Sequence, residues 1–258
     1  MIDYKKIIDN LPIFVATQAI LPFVKATFSN NESIYTAVQY YREGGIRKKA
    51  IQDLYGKIED WDVSKVTNMS GLFFNNVLFN EDISKWDTSN VVSMANMFYG
   101  AENFNQPIGG WNTSKVTNMC SMFKAASDFN QPLNEWDTYN VKVMASMFCD
   151  AWSFNQPLDN WITSNVNSMF LMFAWAVNFN QPIGNWDTSN VIINKFMFLN
   201  ADSFNQDISS WDLSNVTQYS YFEDDIDQTD TDDDIHETDA DDIDDIYETD
   251  TDDDMEIE

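Results

Sequence analysis

Large apolar residues recur with a period of 25 along most of this chain. Tryptophan, valine and phenylalanine each form a column at this spacing, with no insertion or deletion between copies. The tryptophan column consists of Trp61, Trp86, Trp111, Trp136, Trp161, Trp186 and Trp211. A unit of this size cannot bury an apolar face alone, so the pattern predicts units that stack on their neighbours in one direction.

Within one unit the pattern predicts two elements. From Val91 to Ala101 the apolar spacing is that of a helix over about two to three turns, and residues 87–90 just before it are typical of helix N-caps. The stretch from Phe79 to Trp86 is short, and most of its copies contain a proline, which favours an extended edge over a helix. We therefore predict a short strand, a corner and a short helix or helical turn, with the strands of successive units pairing in parallel about 4.8 Å apart.

Each repeated column has a predicted role. Tryptophan and phenylalanine are expected to stack in the core on their equivalents in the next unit, and methionine is expected to fill the gaps between them. The asparagine after each phenylalanine predicts an amide ladder at a corner. The next position is a row of glutamines, which is the candidate binding surface: Gln106, Gln131, Gln156 and Gln181.

These units resemble the BspA-like leucine-rich-repeat surface-protein family of mycoplasmas, other bacteria, algae and large DNA viruses. The resemblance is carried by strings such as WDVSKVTNMSGLF and WDTSNVVSMANMFYGAENFNQPI and covers about residues 29–222. It implies an α/β repeat: a leucine-rich-repeat-like right-handed solenoid of about seven 25-residue coils. It also implies a binding or adhesive role without enzymatic activity. The pattern is broken by Tyr139, Ile162 and Asn194, and it ends on Tyr219 and Phe222 as an expected cap.

Charge divides the chain into three segments. There are 42 acidic and 14 basic side chains, and the formal net charge is -28. Twenty-one of the acids lie in residues 223–258, which contain no lysine or arginine. We predict a helical N-terminal segment and cap at 1–57, the solenoid at 58–222 and a disordered acidic tail at 223–258. A chain with this net negative charge repels nucleic acids and anionic membrane surfaces. We therefore expect neither nucleic-acid binding nor membrane insertion.

The two ends of the chain carry further expectations. Ser29 and Glu32 have the spacing of a capping box for the predicted cap helix, and Gly44 is its predicted stop. Residues 1–28 are expected to form an apolar docking helix, with an F-box-like adaptor helix as the alternative. In the tail, three aspartates match the first ligand positions of a calcium loop, but Ile235 stands where that loop requires glycine. Only weak, nonspecific binding of divalent cations is therefore expected there.

The chain lacks the residues of common active sites. Its one histidine is His236, in the predicted tail, and it contains no phosphate-binding or zinc-protease motif. Cys120 and Cys149 fall at different positions of adjacent units and are expected to be small buried substitutions rather than reactive thiols. We therefore predict no enzyme activity, no catalytic or metal site and no cofactor.

Two functional hypotheses follow from these features. The first is a protein–protein interaction module that presents an extended solenoid surface to a protein partner of unknown identity. The alternative is a secreted or surface-exposed adhesin or structural protein, as the resemblance implies. The prolines within 11–24 argue against a membrane span or secretory leader there. Together with the two cysteines, they favour an intracellular setting, which would be the host cytoplasm if the source is viral.

Overall fold

The computed structural model describes residues 27–217. This part opens with two helices, α1 (Asn31–Glu43) and α2 (Gly45–Tyr55), followed by a 3-10 turn at Ile58–Asp60. The side chain of Asn30 caps α1 by accepting a hydrogen bond from the Ser33 N–H. The capping box predicted from Ser29 is therefore wrong, because the residue after Ser29 makes the cap. The first helix ends at Gly44, where φ is 73° and the backbone N–H bonds back to Tyr41.

Several predictions concern residues outside the described range of 27–217. They are the docking or F-box-like helix within residues 1–26, the cap at Tyr219 and Phe222, and the disorder and cation binding of the tail at 223–258. All of these stay predictions.

From Trp61 onward the chain repeats one backbone path. We number the repeats from their tryptophan, so repeat 1 begins at Trp61 and repeat 7 at Trp211. Parallel bridges join equivalent residues of neighbouring repeats, and each bridge is isolated, so the described part contains no longer strand. The bridged residues are Asn68, Ser93, Asn118, Val143, Ser168 and Ile193.

The strand predicted at 79–86 is wrong, and the segment predicted as a short helix or helical turn forms turns rather than a helix. The segment predicted as a helix, 91–101, is a chain of tight turns closed by bonds such as Met97 N–H to Met94 O and Ala101 N–H to Phe98 O. Alternate amides of the same segment donate to the next repeat, as Met94 does to Asn118 O at 3.0 Å. The parallel bridge also lies in this segment and not in 79–86, where the strand was predicted.

Left-handed residues explain how the turns avoid becoming a helix. In repeat 2 these are Asn96, with φ of 56°, and Gly100, with φ of 66°. A positive φ at the third residue of a turn interrupts the helical path and frees alternate N–H groups for the next repeat. The side chains of Met94, Met97 and Phe98 still return to the core, which is why their spacing looked helical. Helical periodicity alone therefore could not distinguish a helix from these turns.

The core consists of three aromatic columns. One phenylalanine column runs from Phe73 to Phe198, with ring centroids 5.5–5.8 Å apart. A second runs from Phe79 to Phe204, with spacings of 5.7–6.1 Å. Within a repeat the two columns touch, as Phe98 and Phe104 do at 3.9 Å. The predicted stacking of phenylalanine on its equivalents is confirmed.

The repeated tryptophans form the third column. From Trp61 to Trp186 they are buried, and the rings of Trp111 and Trp136 stack at 6.5 Å with an interplanar angle of 1°. The indole of Trp136, which opens repeat 4, also donates to the backbone oxygen of Ile108 near the end of repeat 2 at 3.1 Å. Each buried indole thus satisfies its polar atom while it packs between repeats.

One departure from the repeat leaves a polar atom buried. Asn194 stands in the methionine column and is 4% exposed, and its side-chain oxygen has no hydrogen-bond partner within the described residues. The backbone path of the repeat is unchanged at Asn194, but the packing of a methionine thioether is replaced by an unpaired hydrogen-bond acceptor. A buried acceptor without a partner destabilises a core. In the methionine column, repeat 6 is therefore expected to have the least stable packing of the described repeats.

Helix α1 covers the exposed backbone of repeat 1. The Tyr35 hydroxyl donates to Ser70 O at 2.6 Å, and the Arg42 guanidinium donates to Phe74 O at 3.2 Å. In later repeats the equivalent oxygens accept from the amides of the preceding repeat. The side-chain oxygen of Asn31 accepts from the Thr67 N–H, whose equivalent in a later repeat, the Thr117 N–H, donates to the preceding repeat. Side chains of α1 thus replace the repeat that is absent before Trp61.

The aromatic core predicts a large difference between inner and outer tryptophans. Trp136→Ala should lower the free energy of unfolding by about 3–5 kcal/mol, because it removes a 2%-exposed indole from the core together with its hydrogen bond to Ile108 O. The matched control is Trp152→Ala, which removes a 54%-exposed indole and should change stability by less than about 0.5 kcal/mol. Equilibrium denaturant unfolding measures both, and equal losses for the two variants would contradict the described core.

Candidate functional site

The predicted glutamine row lies along one side of the array. Its members are half-buried, and each side-chain nitrogen donates to the asparagine oxygen of the preceding repeat. The bond from Gln156 to Asn130, for example, is 3.0 Å long. The structure therefore brings the four glutamines into one row but uses their nitrogens to join repeats. This arrangement favours a structural role over the binding role predicted from sequence.

The asparagine ladder supplies the acceptor for these bonds. The side-chain oxygen of Asn130 accepts from the backbone N–H of Asn155 and from Gln156, both at 3.0 Å. The same pattern continues from Asn80 to Asn205. The predicted amide ladder is confirmed, although its inner members are half-buried and its end members, Asn80 and Asn205, are exposed.

A row of aspartates lies at another corner. In repeat 2, Asp87 accepts a hydrogen bond from the Ser89 N–H at 3.0 Å. Hydrogen bonds from the Ser89 side chain and backbone lower the pKa of Asp87, and those from Ser189 do the same for Asp187. These carboxylates close local turns. Among residues 27–217 there is no group of three or more side chains that could hold a metal ion.

A different surface carries residues that do not repeat. We call it the turn face: the surface formed by 68–77, 93–102, 118–127, 143–152, 168–177 and 193–202. Bulky apolar side chains are exposed on it at irregular positions. Its most exposed tryptophans are Trp152, at 54%, and Trp175, at 36%. Sequence analysis missed this face, although the chain has nine tryptophans and the repeat accounts for seven of them.

Asp150 lies beside both exposed tryptophans. The indole nitrogen of Trp152 donates to the Asp150 carboxylate at 3.4 Å. The Asp150 backbone N–H donates to Ala174 O at 2.9 Å, so this residue is adjacent to the Trp175 backbone in the next repeat. Asp150 and Trp175 both have positive φ, 58° and 55°. The Asp150 carboxylate thus contacts one exposed indole, and the Asp150 backbone lies beside that of the second exposed tryptophan.

The thiols do not form a reactive centre here. Cys120 is half-buried and Cys149 is buried, and they are not joined by a disulfide. Burial, followed by the negative charge of Asp150, raises the pKa of the Cys149 thiol to about 12. A thiol with so high a pKa remains protonated at neutral pH and is a poor nucleophile.

Two parts of the chain match a known family in tandem. Residues 47–151 and 132–236 each match the family described as "Mycoplasma protein of unknown function, DUF285". The chain belongs to this family. The two overlapping matches cover the repeats, so the DUF285 signature in this chain is the tandem array itself. No curated protein and no solved structure matches the chain.

Within residues 27–217, neither α1 nor α2 is long and apolar enough to cross a membrane.

The raised pKa of Cys149 predicts its reactivity. At pH 8 the thiol should react with a chromogenic disulfide reagent far more slowly in the native chain than in denaturant, where its pKa returns to about 9. Because the folded pKa is higher than the unfolded one, the associated stability is present below pH 9 and is lost as the pH rises toward 12. Cys149→Ala identifies the signal of this thiol. Rapid labelling of Cys149 in the native chain would contradict its burial.

Proposed function

We propose that this DUF285 chain is a non-enzymatic protein-interaction module whose turn face binds a protein partner. The observation that carries the proposal is the contrast between a repeated core and an unrepeated turn face. The position of Trp175 is occupied in other repeats by small or polar residues. They are Asn75, Gly100, Ala125, Asp150 and Asn200.

Large apolar side chains at left-handed positions of the turn face contribute little to the stability of the fold. Leu171, Trp175 and Phe196 occupy left-handed positions, with φ of 52–57°, and none of them is buried. A left-handed conformation destabilises a residue other than glycine by about 1–2 kcal/mol. The core does not recover that energy, because Trp175 is exposed and Leu171 and Phe196 are half-buried outside the core cluster. Bulky apolar residues in strained, exposed positions are typical of interaction surfaces.

The architecture suited to this function is the leucine-rich-repeat-like solenoid, which we propose for residues 58–222. Support comes from the backbone hydrogen bonds that join the turn segments of neighbouring repeats and from the parallel bridges along the array. We propose the right-handed form, because parallel crossover connections are nearly always right-handed. The resemblance to BspA-like repeats supports the same architecture at a finer level than DUF285 membership does.

The distribution of carboxylates supports binding rather than catalysis. In the described array most aspartates of the corner row accept hydrogen bonds from the serine two residues later, as Asp187 does from Ser189. They are spaced along the array one repeat apart and are not gathered around a common point. A catalytic site needs residues that converge on one reacting group.

A surface adhesin is the second proposed function. It rests on the BspA-like resemblance, because members of that family are named for their surface location. The two functions place the chain in different locations. The first proposal includes an intracellular location. This location is supported by the two cysteines, Cys120 and Cys149, which are not joined by a disulfide.

Site-specific photocrosslinking in the source cell tests the first proposal. A benzophenone amino acid replaces Phe170 on the turn face in one variant and Ser89 on the aspartate corner in the control. A discrete crosslinked protein from position 170 alone is expected. Crosslinks from neither position, or the same crosslinks from both, would overturn the turn-face proposal. Protease treatment of intact cells separates the two functions, because an adhesin is cleaved and an intracellular module is protected.

A further inference from the structure

We propose that Trp152, Asp150 and Trp175 form a binding site for a cationic side chain, arginine above all, of a basic segment in the partner protein. This inference rests on the proposed protein-binding function and names the chemistry of the partner. It assigns to these three residues a role that the repeat itself does not require.

The two indoles are available to a ligand. Trp152 is 54% exposed and Trp175 is 36% exposed, whereas the repeated tryptophans from Trp61 to Trp186 are no more than 4% exposed. Among residues 27–217, no lysine or arginine lies over either exposed ring. The face of an indole attracts a cation more strongly than that of phenylalanine or tyrosine.

Other aromatic rings of the turn face already bind cations of this chain. The Lys124 ammonium lies 5.0 Å from the ring centroid of Tyr99, and the Lys195 ammonium lies 4.5 Å from that of Phe196. The face therefore brings cations and aromatic rings together elsewhere. At Trp152 and Trp175 the rings are present, and a partner would supply the cation.

The Asp150 carboxylate adds charge to the aromatic pair. One of its oxygens accepts from the Trp152 indole at 3.4 Å and the other from the Cys149 thiol at 3.7 Å, and each oxygen keeps a lone pair for a further donor. A guanidinium can stack on an indole face and donate to a carboxylate at the same time. This combination favours arginine over an uncharged apolar group.

Three acidic side chains are exposed along the edge of the turn face that carries the site, and one basic side chain, Lys124, lies close enough to Cys149 to lower its pKa. Glu102, Asp128 and Asp202 are exposed near the same edge of the turn face. Backbone bonds place them there: the Asp128 N–H donates to Glu102 O, and the Ser153 N–H donates to Ser127 O. The charge of the whole chain, -28, has the same sign. Such a field attracts a basic segment and repels an acidic one.

Indole NMR of the full-length chain tests the site directly. The nine indole N–H signals are followed during titration with a (Gly-Arg)₃ peptide and, separately, with an uncharged (Gly-Gln)₃ peptide. Trp152→Phe and Trp175→Phe assign the two signals of interest. The acidic tail contains no tryptophan, so peptide bound at 223–258 does not produce these shifts.

Saturable shifts of Trp152 and Trp175 with the arginine peptide alone are expected. Asp150→Asn, which suits the left-handed backbone at this position, should weaken the apparent affinity about tenfold through loss of a charge-assisted bond. Asp187→Asn removes the same charge at the aspartate corner and should leave the affinity unchanged. Its side chain is tolerated there, because Asn112 occupies the equivalent position in repeat 3.

Two results would overturn the inference. One is an absence of shifts at both indoles, and the other is an equal response to the uncharged peptide, which indicates apolar docking without a cation. Neither result changes the interpretation of the photocrosslinking experiment. A crosslinked partner at position 170 without cation binding at Trp152 and Trp175 would reject this site alone, whereas loss of the crosslink would reject the turn-face function itself.

Discussion

The backbone hydrogen bonds between residues 24 apart are the interaction on which the rest of the structure depends. In the turn segments from 68–77 to 168–177 alternate amides donate to the next repeat, as Phe123 does to Met147 O at 2.9 Å. These bonds fix the register between repeats, and the register places each phenylalanine and tryptophan over its equivalent. A shift by one residue would separate the columns and expose the core. The constant repeat length follows from this requirement.

The same register explains why the surface can vary. The core positions must match their neighbours on both sides, whereas the exposed side chains of the turn face need not, although some of them stack, as Phe74 does on Tyr99 at 4.8 Å. Residues as different as Gly100 and Trp175 therefore occupy one position in different repeats. Their shared constraint is a left-handed backbone, with φ of 66° and 55°. The fold thus restricts conformation at these positions but leaves the side chain free for function.

The sequence predicted the core better than the local structure or the site. The 25-residue period located the buried columns, because residues such as Trp136 and Phe129 contribute to stability only when they are stacked. It did not identify the turns at 91–101, because a turn with a left-handed third residue returns side chains to the core at nearly helical spacing. The glutamine row was chosen for its regularity, yet regularity here marks bonds between repeats. Trp152 and Trp175 could have been found as the two tryptophans outside the period.

The most direct test of this account is the scalar coupling across the hydrogen bond between the Phe123 amide nitrogen and the Met147 carbonyl carbon. It is measured by NMR on deuterated, isotope-labelled protein. The account predicts a detectable coupling between these two atoms, because the amide donates to the neighbouring repeat. A coupling from Phe123 to the carbonyl carbon of Met119, four residues earlier, would indicate a helix within the repeat. That result would contradict the register on which both the core and the turn face depend.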